Sequence, residues 1–181
     1  MSSAPRLGPV SYLVLGIVAM RGASTPYDLK RFVERSVGHF WPFPHTQLYT
    51  EPERLAAAGL LDETREERGR RRRHYTITPA GRERLAAWLA EPETAPTEYR
   101  DVGVLKLFFA ELATPDDVEA LARTQAAAQR EVLALYEGIV ARWADHPEYA
   151  ARLRSVEMGI RFTRAAIDFW DDVATQPATR G

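Results

Sequence analysis

The feature that most constrains the fold is a run of arginines placed directly before a β-strand pattern, in the stretch EERGRRRRHYTITPAG (66–81). A block of like charges is often a disordered tail. Here, however, the β-branched and aromatic residues of HYTIT follow at once and predict a strand. Because like charges repel, a basic block between ordered elements must be balanced by a negatively charged partner outside the chain or by acidic side chains close by. The stretch therefore predicts a hairpin with a basic tip, at which Gly69 permits a sharp turn.

The elements around this hairpin predict a winged helix-turn-helix. Apolar residues at helical spacing indicate three helices before it, over 9–20, 26–37 and 45–58, and a fourth helix after Thr78-Pro79. LLDETREE and RHYTIT read as the two strands of the wing. In the third helix Pro52 shares the apolar face of Leu48 and Leu55, so we expect it to face the core and to kink the helix.

A stretch with two prolines, 92–100, predicts a linker between two domains. The expected organisation is a DNA-binding winged helix-turn-helix domain over 1–91, the linker, and a helical domain over 101–175. The second domain should contain a short helix over 101–112, a long one opened by Thr114-Pro115, and a last one opened by His146-Pro147. The predicted fold class is mainly α.

The two long helices of the second domain carry seams of apolar residues that predict a homodimer. Alternating spacings of three and four residues are typical of a coiled-coil-like contact. The last helix also has a second stripe, containing Met158, Phe162, Phe169 and Val173, and a helix that is apolar on two sides must be covered on two sides. The predicted dimerisation residues are Leu121, Val132, Leu135, Ile139, Val156, Ile160, Ile167 and Trp170.

The charge is divided unevenly between the halves, which suggests that only the first half faces a nucleic acid. Residues 1–95 carry 14 Lys and Arg against 11 Asp and Glu, whereas residues 96–181 carry 10 against 14. A basic half joined to an acidic half is typical of a nucleic-acid-binding part with a second part of another role. The preference for arginine over lysine fits forked phosphate recognition, and GC-rich codon usage explains it equally well.

Composition argues against catalysis and against membrane insertion. The chain has no cysteine, and its four histidines lack metal-ligand spacing, so no metal and no cofactor is expected. No phosphate loop or nucleophile elbow is present. The apolar N-terminal run is too short to cross a bilayer, and no signal-peptide cleavage pattern follows it. We therefore expect a cytoplasmic, soluble protein that is not an enzyme.

The expected DNA contacts come from the third helix and the wing. The first turns of the helix should face base edges, where Gln47 can pair with adenine and apolar side chains can meet thymine methyls. Wing arginines should neutralise phosphates. Two alternatives stay open: the wing charge is balanced by Glu63, Glu66 and Glu67, and Tyr49 packs inside. The predicted contacts are His45, Thr46, Gln47, Tyr49, Thr50, Arg54, Arg70, Arg71, Arg72 and Arg73.

QLYTEPERLAAAGLL followed by RGRRRRHYTITPAGRERL resembles the PadR family of bacterial transcriptional regulators. The matching positions include Tyr49, the Gly59-Leu60 pair and Thr78 with Gly81, whereas Pro52 departs from the family's apolar non-proline residue. The helical tail, with VLKLFFAEL, resembles the longer-tailed branch. The resemblance implies a dimeric regulator, usually a repressor, that binds a double-stranded, palindromic operator and in some members a small effector such as a phenolic compound.

Two points are left open by the resemblance. Trp143, Phe162 and Phe169 are the candidates for an effector site, although tryptophans more often belong to a core. The alternative function is a winged-helix protein-interaction module with the helical tail as scaffold. RNA binding is disfavoured because the aromatic platform for single-stranded bases is absent from the sequence pattern.

Overall fold

A computed structural model of the chain describes residues 6–39, 41, 44, 46–66, 71–93 and 100–176. The chain divides into two compact units, Met1–Ala95 and Pro96–Gly181, called unit 1 and unit 2 below. The prediction of a mainly α protein with an N-terminal winged helix-turn-helix and a helical C-terminal part is confirmed.

Unit 1 has the element order of a winged helix-turn-helix. Its elements are α1 (Pro9–Arg21), α2 (Pro26–Glu34), α3 (Gln47–Ala57), β1 (Leu61–Arg65), β2 (Arg73–Ile77) and α4 (Pro79–Ala90). The two strands pair antiparallel, with Leu61 opposite Ile77 and Arg65 opposite Arg73. Ser24, in the turn before α2, adds a short bridge to Tyr75 in β2 through two backbone hydrogen bonds of 3.0 and 2.9 Å.

Threonine caps fix where α2 and α4 begin. The Thr25 hydroxyl accepts the Asp28 N–H at 3.2 Å, and the Asp28 carboxylate accepts the Thr25 N–H at 3.0 Å. This reciprocal arrangement satisfies helix donors that would otherwise lack partners. At α4, the Thr78 hydroxyl accepts the Gly81 N–H at 3.0 Å and donates to the Gly59 carbonyl at 2.8 Å. The cap therefore also joins α4 to the end of α3.

Three helices, α1 to α3, and both strands contribute the buried core of unit 1. Its residues are Val14, Leu15, Ile17, Val18, Leu29, Val33, Leu48, Leu55, Leu61 and Tyr75. Pro52 lies inside α3 and is fully buried, so the expectation that it faces the core is confirmed. The helix continues through it to Ala57.

Unit 2 contains three α-helices among the described residues: α5 (Val102–Phe108), α6 (Pro115–Trp143) and α7 (Ala150–Thr175). Two boundaries differ from the sequence-based predictions. The predicted helix 101–112 ends at Phe108 and is followed by a 3₁₀ turn, Ala110–Leu112, and His146-Pro147 open a 3₁₀ turn, Pro147–Tyr149, rather than α7 itself. At α6, the Thr114 hydroxyl accepts the Asp117 N–H at 3.2 Å, as Thr25 does for Asp28 in α2.

Helices α6 and α7 pack as an antiparallel pair. Ion pairs join Arg130 to Asp171 at 2.6 Å and Arg164 to Glu137 at 2.8 Å. The Trp170 indole is 1% exposed and packs with Ala122 and Ala126 of α6. Small alanines leave room for the large ring, so this contact sets the spacing of the two helices.

This packing corrects two predicted dimer contacts. Trp170 and Ile167 are buried within the single chain, so their side chains belong to the core of unit 2 rather than to a partner contact. Of the buried α6 residues, Val118 belongs to the predicted seam, whereas Ala122, Ala126 and Tyr136 lie beside it. No described helix is long and apolar enough to cross a membrane.

Candidate nucleic-acid interface

The first turns of α3 present polar side chains to the outside of unit 1. Leu48 is fully buried, which fixes the rotation of the helix, and Thr46, Gln47, Tyr49 and Thr50 are exposed. Tyr49 is 48% exposed, so the alternative that it packs inside is not what the structure shows. The remaining predicted helix residue, His45, lies outside the described residues.

Arg54, also predicted to contact DNA, is held against its own unit. Its guanidinium donates to Glu51 at 2.9 and 2.6 Å and to the buried Ser11 hydroxyl of α1 at 2.9 Å. Burial raises the pKa of Glu51, but the hydrogen bonds from Arg54 and Ser11 outweigh it and hold that pKa below its usual range. Arg54 therefore fastens α3 to the start of α1.

The wing arginines fall into two groups by their partners. Arg71 and Arg72 are exposed, and within the described part of the chain their guanidinium groups form no hydrogen bond or ion pair. Arg71 also has a positive φ of 48°, as expected where the chain turns. Arg73, by contrast, pairs with Glu53 of α3 and Glu63 of β1. Arg70 lies outside the described residues.

Acids lie at the base of the wing as well. Glu66 Oε1 is 3.1 Å from His74 Nε2, and the hydrogen bond to His74 holds the pKa of Glu66 below its usual range. Glu63 is 2.8 Å from Arg65 Nε. The alternative that nearby acids balance the wing charge thus holds at its base, where Arg65 and Arg73 are paired, and Glu66 also lies close to Arg72.

A groove of about 650 Å³ lies between the start of α2, the helix α3 and the wing. It is lined by Thr25, Pro26, Tyr27, Asp28, Tyr49, Arg72 and Arg73. A polyanion lying here would pass two arginines and two tyrosine hydroxyls. The groove also holds Asp28, whose pKa the hydrogen bonds with Thr25 keep below its ordinary value, so the carboxylate stays charged.

The sequence-based site lacked Tyr27 and Glu53. Tyr27 is 58% exposed, and the Arg31 guanidinium lies 5.8 Å from its ring centroid, within the range of a cation–π contact. Its position in the first turn of α2, off the Leu29/Val33 face, is a signal that the sequence carries. Glu53 gives no such signal, because its pairing with Arg73 depends on how the wing folds back toward α3.

In unit 2 the remaining predicted dimer residues differ in exposure. Val132 and Leu135 are exposed at 37% and 47%, so they are available to a partner. The others, Leu121, Ile139, Val156 and Ile160, are partly buried. The exposed residues follow the predicted seam of α6, on the side that α7 leaves uncovered.

The three predicted effector residues do not converge on one place. The Trp143 ring packs against Tyr149 at 4.5 Å and His146 at 5.3 Å between centroids, and so closes the turn between α6 and α7. Phe162 and Phe169 are exposed on α7 at 56% and 46%. At 1.5 Å per residue, Phe162 lies roughly 20 Å along α7 from Tyr149, so Trp143 and Phe162 cannot line one small pocket within the same chain.

Comparisons with known proteins fit this arrangement. Residues 14–87 match the model of the transcriptional regulator PadR-like family, and residues 99–176 match the virulence activator alpha C-terminal model. A probable transcriptional regulator of Mycobacterium tuberculosis is 31% identical over 84% of this chain and 89% of its own length. The negative transcriptional regulator PadR of Bacillus subtilis is 25% identical over 64% of each chain.

Solved structures show the same fold. Bacillus subtilis PadR in complex with operator DNA superposes with a TM-score of 0.82 at 20% identity, over 92% of this chain and 98% of that one. The same regulator in complex with p-coumaric acid gives a TM-score of 0.78 at 20% identity, over 92% and 97%. The fold and the exposed, arginine-bearing wing define a winged helix-turn-helix protein with a helical second unit.

The chain belongs to the PadR-like family of transcriptional regulators. Members of that family are not enzymes, which confirms the expectation that this chain has no catalytic role.

Proposed function

We propose that the protein is a homodimeric repressor that binds a palindromic DNA operator through unit 1 and dimerises through unit 2. The observation that carries the proposal is the exposed pair Arg71 and Arg72, of which Arg72 lines the groove between α3 and the wing. Guanidinium groups that pair with no other described residue are available to phosphates, and each phosphate they neutralise releases counterions.

The exposed start of α3 supplies the base-reading part of the proposal. Gln47 and Tyr49 extend from a helix whose rotation is fixed by buried Leu48. An α-helix fits the major groove, and a glutamine there can pair with both hydrogen-bonding positions of adenine. Gln47, Tyr49 and Thr50 are the proposed base contacts, with His45 and Thr46 at the start of the same helix.

Repression and an effector are proposed from the relatives. One relative is named a negative regulator, and the same Bacillus subtilis protein was crystallised with p-coumaric acid. We propose a small aromatic effector for this chain, with Phe162 and Phe169 of α7 as its contacts and Trp143 as a structural residue. Both phenylalanines are exposed in the single chain, so a second copy would have to complete the pocket.

Equilibrium binding of a fluorescent random-sequence duplex across a salt series tests the proposal. The logarithm of the affinity should fall linearly with the logarithm of the salt concentration. Arg71→Ala or Arg72→Ala should lower the slope by about 0.9 for each phosphate that the variant no longer neutralises. Because a dimer has two wings, one substitution removes an arginine from two phosphate sites.

Arg123→Ala is the matched control, since Arg123 is an exposed arginine of unit 2 that pairs with Glu119. It removes the same charge and should leave the slope unchanged. DNA binding that does not respond to salt or to the wing variants would contradict the proposal. Complete absence of DNA binding would favour the protein-interaction module.

A further inference from the structure

The third helix and the wing are joined by one side chain. The Arg73 guanidinium, at the start of β2, forms an ion pair with Glu53 of α3 and lies 3.7 Å from Glu63 of β1, measured from Nε to Oε1. Glu53 lies in the C-terminal half of α3, beyond the residues proposed to read bases. Arg73 therefore spans from the helix that would read the bases to the strands that would grip the backbone.

The wing end of this bridge is fixed from a second direction. Glu63 accepts the Tyr75 hydroxyl at 3.3 Å and the Arg65 Nε at 2.8 Å. Tyr75 is fully buried in the core of unit 1. Burial, followed by the negative charge of Glu63, raises the pKa of Tyr75, so its hydroxyl stays protonated and remains a donor. The carboxylate that holds Arg73 is thus tied to the core.

The charge balance at the bridge differs from that of Arg71 and Arg72. Two carboxylates face the Arg73 guanidinium, and Glu63 is shared with Arg65, so the four groups together carry no net charge. A phosphate approaching Arg73 would have to displace a carboxylate already bound there. Such an exchange gains little, because one anion replaces another.

We propose that Arg73 is a positioning residue, which holds the wing at a set distance and angle from α3 through Glu53, rather than a phosphate contact. This inference rests on the proposed DNA-binding function. The spacing of wing and helix decides whether base contacts and backbone contacts form together on one site. The Glu53–Arg73 bridge therefore determines specificity, whereas Arg71 and Arg72 determine affinity for any duplex.

The test compares Glu53→Gln, Arg73→Gln, the double variant and Arg72→Gln in the full chain. Two probes are used over a salt series: a random-sequence duplex and a duplex selected by the wild-type protein from a random library. Arg72→Gln should lower the salt slope on both probes and leave the ratio of selected to random affinity unchanged. Arg73→Gln and Glu53→Gln should leave the slope unchanged and lower that ratio, by about five- to tenfold for a coupled pair.

The double variant separates positioning from direct contact. If Arg73 acts through Glu53, the double variant has the same affinity ratio as either single variant, because the bridge is broken once. A salt slope that falls with Arg73→Gln as much as with Arg72→Gln, or effects of the two bridge variants that add, would overturn the inference and leave the proposed function standing.

Two further outcomes are distinguishable. Glu53→Gln changes only the charge of a half-exposed helix residue. If Arg73→Gln does not fold, the salt slope and the affinity ratio of Glu53→Gln alone test the inference. Wild-type protein that binds neither duplex would overturn this inference together with the proposed function.

Discussion

The two units differ in how completely the single chain covers their apolar side chains. In unit 1, ten apolar residues form one buried cluster to which every helix but α4, and both strands, contribute. In unit 2, six of the described apolar residues are buried, and three of them, Ala122, Ala126 and Trp170, form one cluster. Large apolar residues remain exposed on α5 and just after it: Val102, Leu105, Phe108, Phe109 and Leu112.

This difference indicates different folding requirements. Apolar surface left in water forgoes roughly 25 cal/mol per Å² of stabilisation, and a contiguous exposed apolar surface is typical of an interaction site. Unit 1 buries ten apolar residues in one cluster within a single chain, although Met20, Trp88 and Leu89 stay exposed. In unit 2 the seam residues Val132 and Leu135 and most of the large apolar residues of α5 remain exposed, and the proposed homodimer would cover them.

Trp170→Ala is expected to have the largest effect, and to act on unit 2 alone. Trp170 contributes the largest side chain of the buried cluster in unit 2, and replacing a buried tryptophan by alanine costs about 3–5 kcal/mol. Thermal unfolding followed by amide hydrogen exchange should show unit 2 losing protection while the core amides of α1 and α3 keep theirs. Equal loss of protection in both units would contradict the view that their cores are independent.

Leu135→Glu should act on association instead of on the fold of the single chain. Leu135 is 47% exposed, so a charge there has water available in the monomer, but would be desolvated in a dimer. We expect dimerisation to weaken by about 2–4 kcal/mol if Leu135 is central to the contact. Sedimentation equilibrium measures the dissociation constant.

Leu89→Glu in α4 is the matched control for that experiment, because Leu89 is an exposed leucine of unit 1 at 69%. The dissociation constant of this variant should equal that of the wild type. Equal weakening by both substitutions would place the dimer contact outside the predicted seam.

The sequence predicted unit 1 better than unit 2 for physical reasons. The caps at Thr25 and Thr78 and the strand pattern after the arginines are local signals, and they gave the helix starts and the wing. The face of α6 that α7 covers is not a local property. It depends on Trp170 packing against the small side chains of Ala122 and Ala126. The larger apolar residues of α6 recur at a regular spacing, so they predicted a different buried face.

The same limit applies to the candidate site. Because Leu48 was predicted to face the core, Gln47 and Thr50 could be predicted as exposed from spacing, whereas the exposure of Tyr49 was left open until the structure showed it. The sequence did not show which arginines pair within the chain. Glu53 reaches Arg73, and Ser11 reaches Arg54, only after the elements pack. Ser11 and Arg54 are so far apart in the sequence that no local pattern predicts their hydrogen bond.

Two glycine-to-alanine substitutions, one in each unit, are expected to destabilise the protein less than Trp170→Ala. A Cβ at Gly81 would collide with the backbone carbonyl oxygen of Leu60, whereas a Cβ at Gly159 would lie 2.8 Å from Cε2 of the Tyr136 ring. Backbone in a packed unit cannot yield as a side-chain ring can. We expect Gly81→Ala to destabilise unit 1 by about 1–3 kcal/mol and Gly159→Ala to cost less, as measured by urea unfolding of each variant.

The smallest expected effect is the loss of the contribution of Asp28 to the stability of unit 1 at low pH. The hydrogen bonds from the Thr25 side chain and backbone hold the pKa of Asp28 below its ordinary value of 3.8. A lowered folded-state pKa means that the carboxylate stabilises unit 1 above that value and loses this contribution as the pH falls through the folded pKa. Asp28→Asn should therefore be less stable than wild type at neutral pH, and the difference should shrink as the pH falls below 3.8. A constant difference at all pH values would contradict the assignment.

The molecular mass of the intact chain in solution, measured by light scattering during size-exclusion chromatography, shows whether unit 2 associates with a second copy. If unit 2 covers its exposed apolar residues with a second copy, the mass is twice the 20.4 kDa of one chain and stays so on dilution to the limit of detection. A mass of 20.4 kDa at every concentration would contradict the account.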